Sequence, residues 1–158
     1  MEKERVYTRG LEVMEENFGH LVEMSLGSAA DGEVEVRDVH AYYVDGKMYV
    51  LSKQNNTLLR HISKCPNVGL CHGPHKMHGI ARPIGHPLDA ANAELRKKLK
   101  REFSLNYDEY VTESNPEMLI VEITITKAQT FTRYHRYMID FVNKCAERDH
   151  TEPIFRYR

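Results

Sequence analysis

Residues 33–52 read Glu33-Val-Glu-Val-Arg37-Asp38-Val39-His-Ala-Tyr-Tyr-Val44-Asp45-Gly46-Lys-Met-Tyr-Val-Leu51-Ser52. They continue as Lys53-Gln-Asn-Asn56-Thr57-Leu58-Leu-Arg60-His-Ile62, then Ser63-Lys-Cys65-Pro66-Asn67-Val-Gly-Leu-Cys71. The first run is a long strand that carries an arginine. Its alternation changes phase after Asp38, which predicts a bulge or a strand buried on both faces. Asp45-Gly46 is a strong two-residue hairpin signal, so Lys47–Ser52 is the returning strand. Asn55 or Asn56 can then cap a helix whose apolar face is Leu58, Leu59 and Ile62. Pro66-Asn67 closes that helix and feeds a strand over 68–72. An arginine, a strand end and a helix N-terminus are thus set close together, parts that suit a phosphate-bearing ligand. Arg37 has two readings on spacing alone, a phosphate contact or an ion pair with Glu35 or Glu23.

Outward from this stretch, Val6, Leu11, Met14 and Phe18 recur at helical spacing and predict an amphipathic helix over 3–17. Residues 20–26 read as extended, and 27–32, rich in Gly, Ser and Ala, as a loop. Gly73-Pro74 turns the chain into a strand from 76 to about 85. Asp89 opens a helix to about Phe103, and 104–116 read as loop with a little helix. Met118–Thr126 alternates cleanly as a strand. Tyr134, Tyr137, Met138, Phe141 and Cys145 fit a final helix over about 134–147, with a loosely held tail from Arg148 onward. The expected architecture is mainly β with flanking helices, an α+β domain spanning 1–158. About six antiparallel strands would close into a barrel.

Composition narrows the function classes. The formal net charge is −1, which gives no broad attraction to nucleic acid or to an anionic membrane. No apolar run is long enough to span a bilayer. The opening Met1-Glu-Lys-Glu-Arg5 does not read as a secretory signal. Cys65, Cys71 and Cys145 make no CxxC pair and are odd in number, which predicts free thiols and a cytoplasmic protein. The dinucleotide, P-loop and nucleophile-elbow signatures are absent from the sequence. Its Cys71-His72-Gly-Pro-His75-Lys76-Met-His78 run invites a metal or haem reading, but it lacks an i, i+4 histidine pair, and the expectation is no metal site.

The order of arginine strand, Asp-Gly hairpin, hydroxyl-ended strand, short helix and Pro66-Asn67-Val68 resembles the pyridoxamine 5′-phosphate oxidase-like, FMN-binding split-barrel family. Gly79-Ile-Ala81 resembles the Gly-x-Ala of the family's following strand, and Leu119–Ile125 its last core strand. The likeness runs from about His20 to Thr132 and points away from the vitamin B6 oxidase itself. It implies a six-stranded split barrel, a homodimer and FMN at the subunit interface. By the same likeness Arg37 would meet the flavin phosphate, and the backbone of Asp38 and Val39 would pass the ring edge. Leu51 and Ser52 would lie beside ring or phosphate, with Asn56 and Thr57 at the helix start. His75 and Lys76 lie where a second subunit contributes. Leu58 stands where the family carries a phosphate-binding lysine, so Lys53 or Arg60 would have to supply that charge. The implied activity is electron transfer through flavin to a small acceptor, with His75 or His78 as candidate proton donors. The alternatives are a haem-binding or F420-binding barrel, or a ligand-binding dimer without catalysis.

Overall fold

The computed structural model describes residues 1–153, apart from the side chain of Leu105. The chain opens with helix α1 (Glu2–Phe18), which buries Val13, Met14 and Phe18 along one face. Two hairpins and a short helix follow: β1 (Val22–Ala30), β2 (Glu33–Val44), β3 (Lys47–Lys53) and α2 (Thr57–Lys64). Next come β4 (Asn67–His72), β5 (His75–Pro83), α3 (Ala93–Phe103), α4 (Tyr107–Tyr110) and β6 (Met118–Phe131), then β7 (His135–Asp140) and β8 (Cys145–His150).

All eight strands form one antiparallel sheet in the order β3-β2-β1-β4-β5-β6-β7-β8. A further pairing of β3 with β6, from Lys47↔Thr124 to Lys53↔Met118, closes the first six into a barrel. The second half of β6 pairs instead with β7, from Lys127↔Asp140 to Phe131↔Arg136. The β7–β8 hairpin therefore continues the sheet beyond the closed barrel and lies against α1. Among the described residues no helix is long and apolar enough to cross a membrane.

Both first hairpins turn on Asp-Gly. Asp31 and Gly32 have φ of 52° and 79°, and Asp45 and Gly46 have 49° and 80°. Positive φ at both central residues matches the twist of the flanking strands. The predicted loop over 27–32 is thus a correction: β1 runs to Ala30 and only Asp31-Gly32 turns. The phase change in β2 comes from burial on both faces and not from a bulge. The β1–β2 register runs unbroken from Val22↔Ala41 to Ala30↔Glu33. Ala41 and Tyr43 enter the main core, whereas Tyr42 faces a second cluster under α3 with Leu99, Phe103 and Tyr107.

The expected helix over 134–147 is also overturned, since these residues form the β7–β8 hairpin. The buried residues of β7 are Tyr137 and Ile139, two apart as in a strand. The turn is closed by the Asp140 carboxylate, whose Oδ1 accepts from the Val142 and Asn143 amides. No Gly or Pro marks that turn. The expected loose tail is likewise part strand, with Arg148 paired to Tyr137, while residues 154–158 lie outside the described residues.

Candidate functional site

The site begins with Arg37, opposite Leu26 in the β1–β2 ladder. Its Nη1 donates to the Leu26 carbonyl at 3.2 Å and to Ser28 Oγ at 2.8 Å. Its Nη2 donates to Glu35 Oε1 at 3.1 Å, a pair in which the carboxylate is 45% exposed. The ion-pair reading is met by Glu35. The guanidinium is fixed on the sheet, and its one acidic partner lies open to solvent, where an ion pair is worth little.

The helix start supplies the other wall. Asn56 is the N-cap of α2, and its side-chain oxygen accepts the Leu59 amide at 3.0 Å. Its amide nitrogen donates to Ser52 Oγ, which ties the end of β3 to the cap. The Arg60 amide already bonds the Asn56 carbonyl. That leaves the Thr57 and Leu58 amides, which no helical carbonyl can reach. Such groups at the positive end of a helix favour an anion.

Between these walls lies a cleft of about 430 Å³. It is lined by the expected residues Arg37, Asp38, Val39, Leu51, Ser52, Asn56 and Thr57. Leu58 turns into the main core, where it is 4% exposed. The second cation is Arg60, which lines the cleft, whereas Lys53 does not. Arg60 thus brings a guanidinium to the cleft two residues along the helix from Leu58. Arg60 is paired with Glu33 at 2.5 Å, and both side chains are more than half exposed.

The structure sets the expected histidines apart from this cleft. His75 stands edge-on to Phe18 and Phe131, at 5.2 and 5.8 Å between centroids, and its Nδ1 bonds Thr130 Oγ1 at 2.9 Å. Burial, with the nearby His72 adding to it, lowers its pKa to about 4. Lys76 and His78 line a separate cleft of about 510 Å³ with Lys3, Lys127 and the β7–β8 strands. His72 pairs with His75 across the turn, and its Nδ1 lies 2.8 Å from the Glu23 carbonyl. His75 and Met77 face inward while His78 is exposed on the other face of β5. Among the described residues no three His, Cys, Asp or Glu side chains gather as a metal site.

One buried polar feature escaped the sequence reading. His61 is 1% exposed on the buried side of α2. Its Nδ1 lies 2.8 Å from Ser28 Oγ, and its Nε2 lies 2.7 Å from Glu33 Oε1. The bonds from His61 and Arg60 hold the Glu33 carboxyl below the usual carboxylate range. Helical spacing marked only Leu58, Leu59 and Ile62, and no local signal links His61 to residues about thirty positions earlier.

No family model and no curated protein matches the sequence. Solved structures do. A pyridoxamine 5′-phosphate oxidase-related, FMN-binding protein from Nostoc punctiforme is similar over 92% of this chain and 96% of its own, with TM-score 0.58 and 10% identity. An FAD-binding protein from Mesorhizobium loti matches 75% of this chain and 90% of its own, with TM-score 0.58 and 19% identity. HutZ, a haem storage protein from Vibrio cholerae, matches 75% and 88%, with TM-score 0.56 and 11% identity. The closed six-strand barrel, its appended strands and these likenesses together give the chain the pyridoxamine 5′-phosphate oxidase-like split-barrel fold.

Proposed function

We propose that this chain is an FMN-binding protein that passes electrons through the flavin to a small-molecule acceptor. The observation that carries the reading is the cleft of Arg37. A guanidinium fixed by two bonds to β1 faces a capped helix start with two free amides, and Arg60 stands at the rim. These donors suit a phosphate dianion, which accepts forked bonds from arginine and single bonds from amides. Ser52 and Asn56 would complete the phosphate cradle, and the Asp38–Val39 backbone would run along the ring edge. When bound, the flavin supplies the redox chemistry, and the residues here bind and orient it.

The same reading calls for a homodimer. Val34 and Val36 are 73% and 66% exposed on β2, on the strand face opposite Glu35 and Arg37, and a second subunit would cover them. Lys76 and His78 would then be brought to the flavin from that subunit. Packed edge-on against Phe18 and Phe131, His75 is held by burial in its neutral form at neutral pH, which suits it poorly as a proton donor. Three free cysteines, two of them exposed, fit a reducing cytoplasm.

The test is spectroscopic. Purified protein, or protein freed of unbound flavin after mixing with FMN, should carry a flavin spectrum. Arg37→Ala should weaken FMN binding by roughly 1.5–3 kcal/mol, the worth of a hydrogen bond to a charged group. Unchanged affinity would sink the site assignment. A haem reading rests on His72, whose Nδ1 bond to a carbonyl leaves Nε2 as a ligand of the usual axial kind. A Soret band on haem addition, lost in His72→Ala, would favour it over flavin.

A further inference from the structure

A continuous chain of hydrogen bonds links the two arginines that line the cleft. Arg37 Nη1 reaches Ser28 Oγ at 2.8 Å, and Ser28 Oγ is 2.8 Å from His61 Nδ1. His61 Nε2 is 2.7 Å from Glu33 Oε1, and the same oxygen accepts from Arg60 Nη2 at 2.5 Å. The direction of each bond follows from counting protons. Glu33 can only accept, so His61 carries a proton on Nε2. With one ring proton, Nδ1 is an acceptor, and the Ser28 hydroxyl donates to it. Ser28 Oγ then accepts from the Arg37 cation. Every polar atom along the buried part of the chain is satisfied by this one arrangement.

A serine, a histidine and a glutamate in a row have the order of a nucleophilic triad. This one cannot act as a nucleophile. Ser28 is 3% exposed, and its oxygen is already held by a guanidinium. Cation donation to Oγ also opposes attack by that oxygen. What the chain does hold is the orientation of Arg37. Deleting the Ser28 hydroxyl would leave the guanidinium with the Leu26 carbonyl and the exposed Glu35 carboxylate, which also lines the cleft, so that one buried bond alone would fix the direction of the fork.

We infer that Ser28 and His61 are positioning residues of the anion site, holding the Arg37 guanidinium for a bound phosphate and coupling it through Glu33 to Arg60. The inference rests on the flavin reading for the identity of the phosphate, but not for the network itself. In it His61 is the pivot, since it alone touches both the Ser28 end and the Glu33 end. A ligand phosphate that draws Arg60 off Glu33 would leave that carboxylate to His61 alone, and the change would be felt at Arg37.

Two readouts test this on the full-length protein. In FMN titrations, Ser28→Ala should weaken binding about tenfold, the loss of one bond to a charged group, and Ser28→Thr should restore most of it. His61→Asn, whose amide oxygen replaces the Nδ1 acceptor, should bind FMN more tightly than His61→Gln, which keeps only the Glu33 end. The second readout needs no ligand. Nitrogen-detected NMR should show restrained rotation of the Arg37 guanidinium in wild type and free rotation in Ser28→Ala. Mere structural support would lower the melting temperature without this change. Equal restraint in Ser28→Ala, or FMN affinity that falls in Arg37→Ala but not in Ser28→Ala, overturns the inference and leaves the flavin reading standing. If wild type takes up no FMN, the flavin reading fails, and the Arg37 signals still decide the positioning role.

Discussion

Gly79 on β5 is pressed so closely on Ile123 of β6 that a β-carbon at position 79 would lie 2.5 Å from Ile123 Cγ2 and 2.9 Å from the Thr124 carbonyl oxygen. The register between the two strands also shifts between His78 and Gly79. The irregularity leaves Thr126 as an extra residue on β6 between the pairs His78↔Lys127 and Gly79↔Ile125, and a glycine is what accommodates so close an approach of the neighbouring strand. Gly79→Ala should therefore destabilise the fold by roughly 1–3 kcal/mol, the range for overpacking a tight interior. Urea denaturation measures it, and an unchanged midpoint would contradict the close approach.

Arg60 and Lys53 make opposite predictions. Arg60 lines the cleft and Lys53 does not. Arg60→Ala should weaken FMN binding several-fold, with a smaller loss at high salt because the side chain is exposed. Lys53→Ala should leave it unchanged. Titration at two ionic strengths separates them. A larger effect at Lys53 would place the phosphate outside the cleft.

His75 gives the fold an acid sensitivity. Its folded pKa, about 4, lies below the ordinary value of 6.5 because burial opposes the charged ring. The unfolded chain therefore binds a proton first as pH falls, so the stability held above pH 6.5 declines toward pH 4 and this contribution then levels off. Replacing His75 with Gln should flatten that part of the profile. Melting temperatures in steps of pH across the window show whether it does.

Glu113 acts lower on the scale. Hydrogen bonds from Arg96, at 2.6 and 3.0 Å, and from Tyr107, at 2.7 Å, lower its pKa to about 2 from 4.5. Its stabilising contribution is present above pH 4.5 and lost as pH falls toward 2. Glu113→Gln should thus melt below wild type at neutral pH, and the two should converge in strong acid. A gap that persists at pH 2 would mean packing and not charge holds this corner.

Val34 and Val36 test the assembly. If a second copy covers them, Val36→Glu should shift the protein to a monomer in light scattering and also weaken FMN uptake. A wild-type monomer would remove the homodimer from the reading.

The barrel was legible where local chemistry repeats the global fold. Asp45-Gly46 announced its hairpin, and Asn56 its helix, because turns and caps are written in two or three adjacent residues. Asp31-Gly32 carries the same signal, yet the small residues before it read as loop. They are small because α2 packs on β1 there and brings buried Ser28 against His61. Tyr134, Tyr137, Met138 and Phe141 fit a helix as well as a strand, and the Asp140 turn that decides between them leaves no Gly or Pro. In the candidate site, Arg37, Ser52 and Asn56 were legible as a strand arginine, a strand end and a cap. The Arg60 contribution and the Ser28–His61–Glu33 chain depend on a helix face meeting a strand, which spacing along one segment does not record.

The pairing of β3 with β6 has a consequence for synthesis. Lys47 meets its β6 partner only at Thr124, and Lys53 only at Met118. A nascent chain that has not yet released β6 carries two unpaired strand edges, β3 on one side and β5 on the other, with the cleft of Arg37 already framed between β2 and α2. Such an intermediate is a template for pairing with other chains. The ring closes only when β6 arrives and covers both edges at once. A truncation before Met118 should therefore aggregate and not merely lose stability.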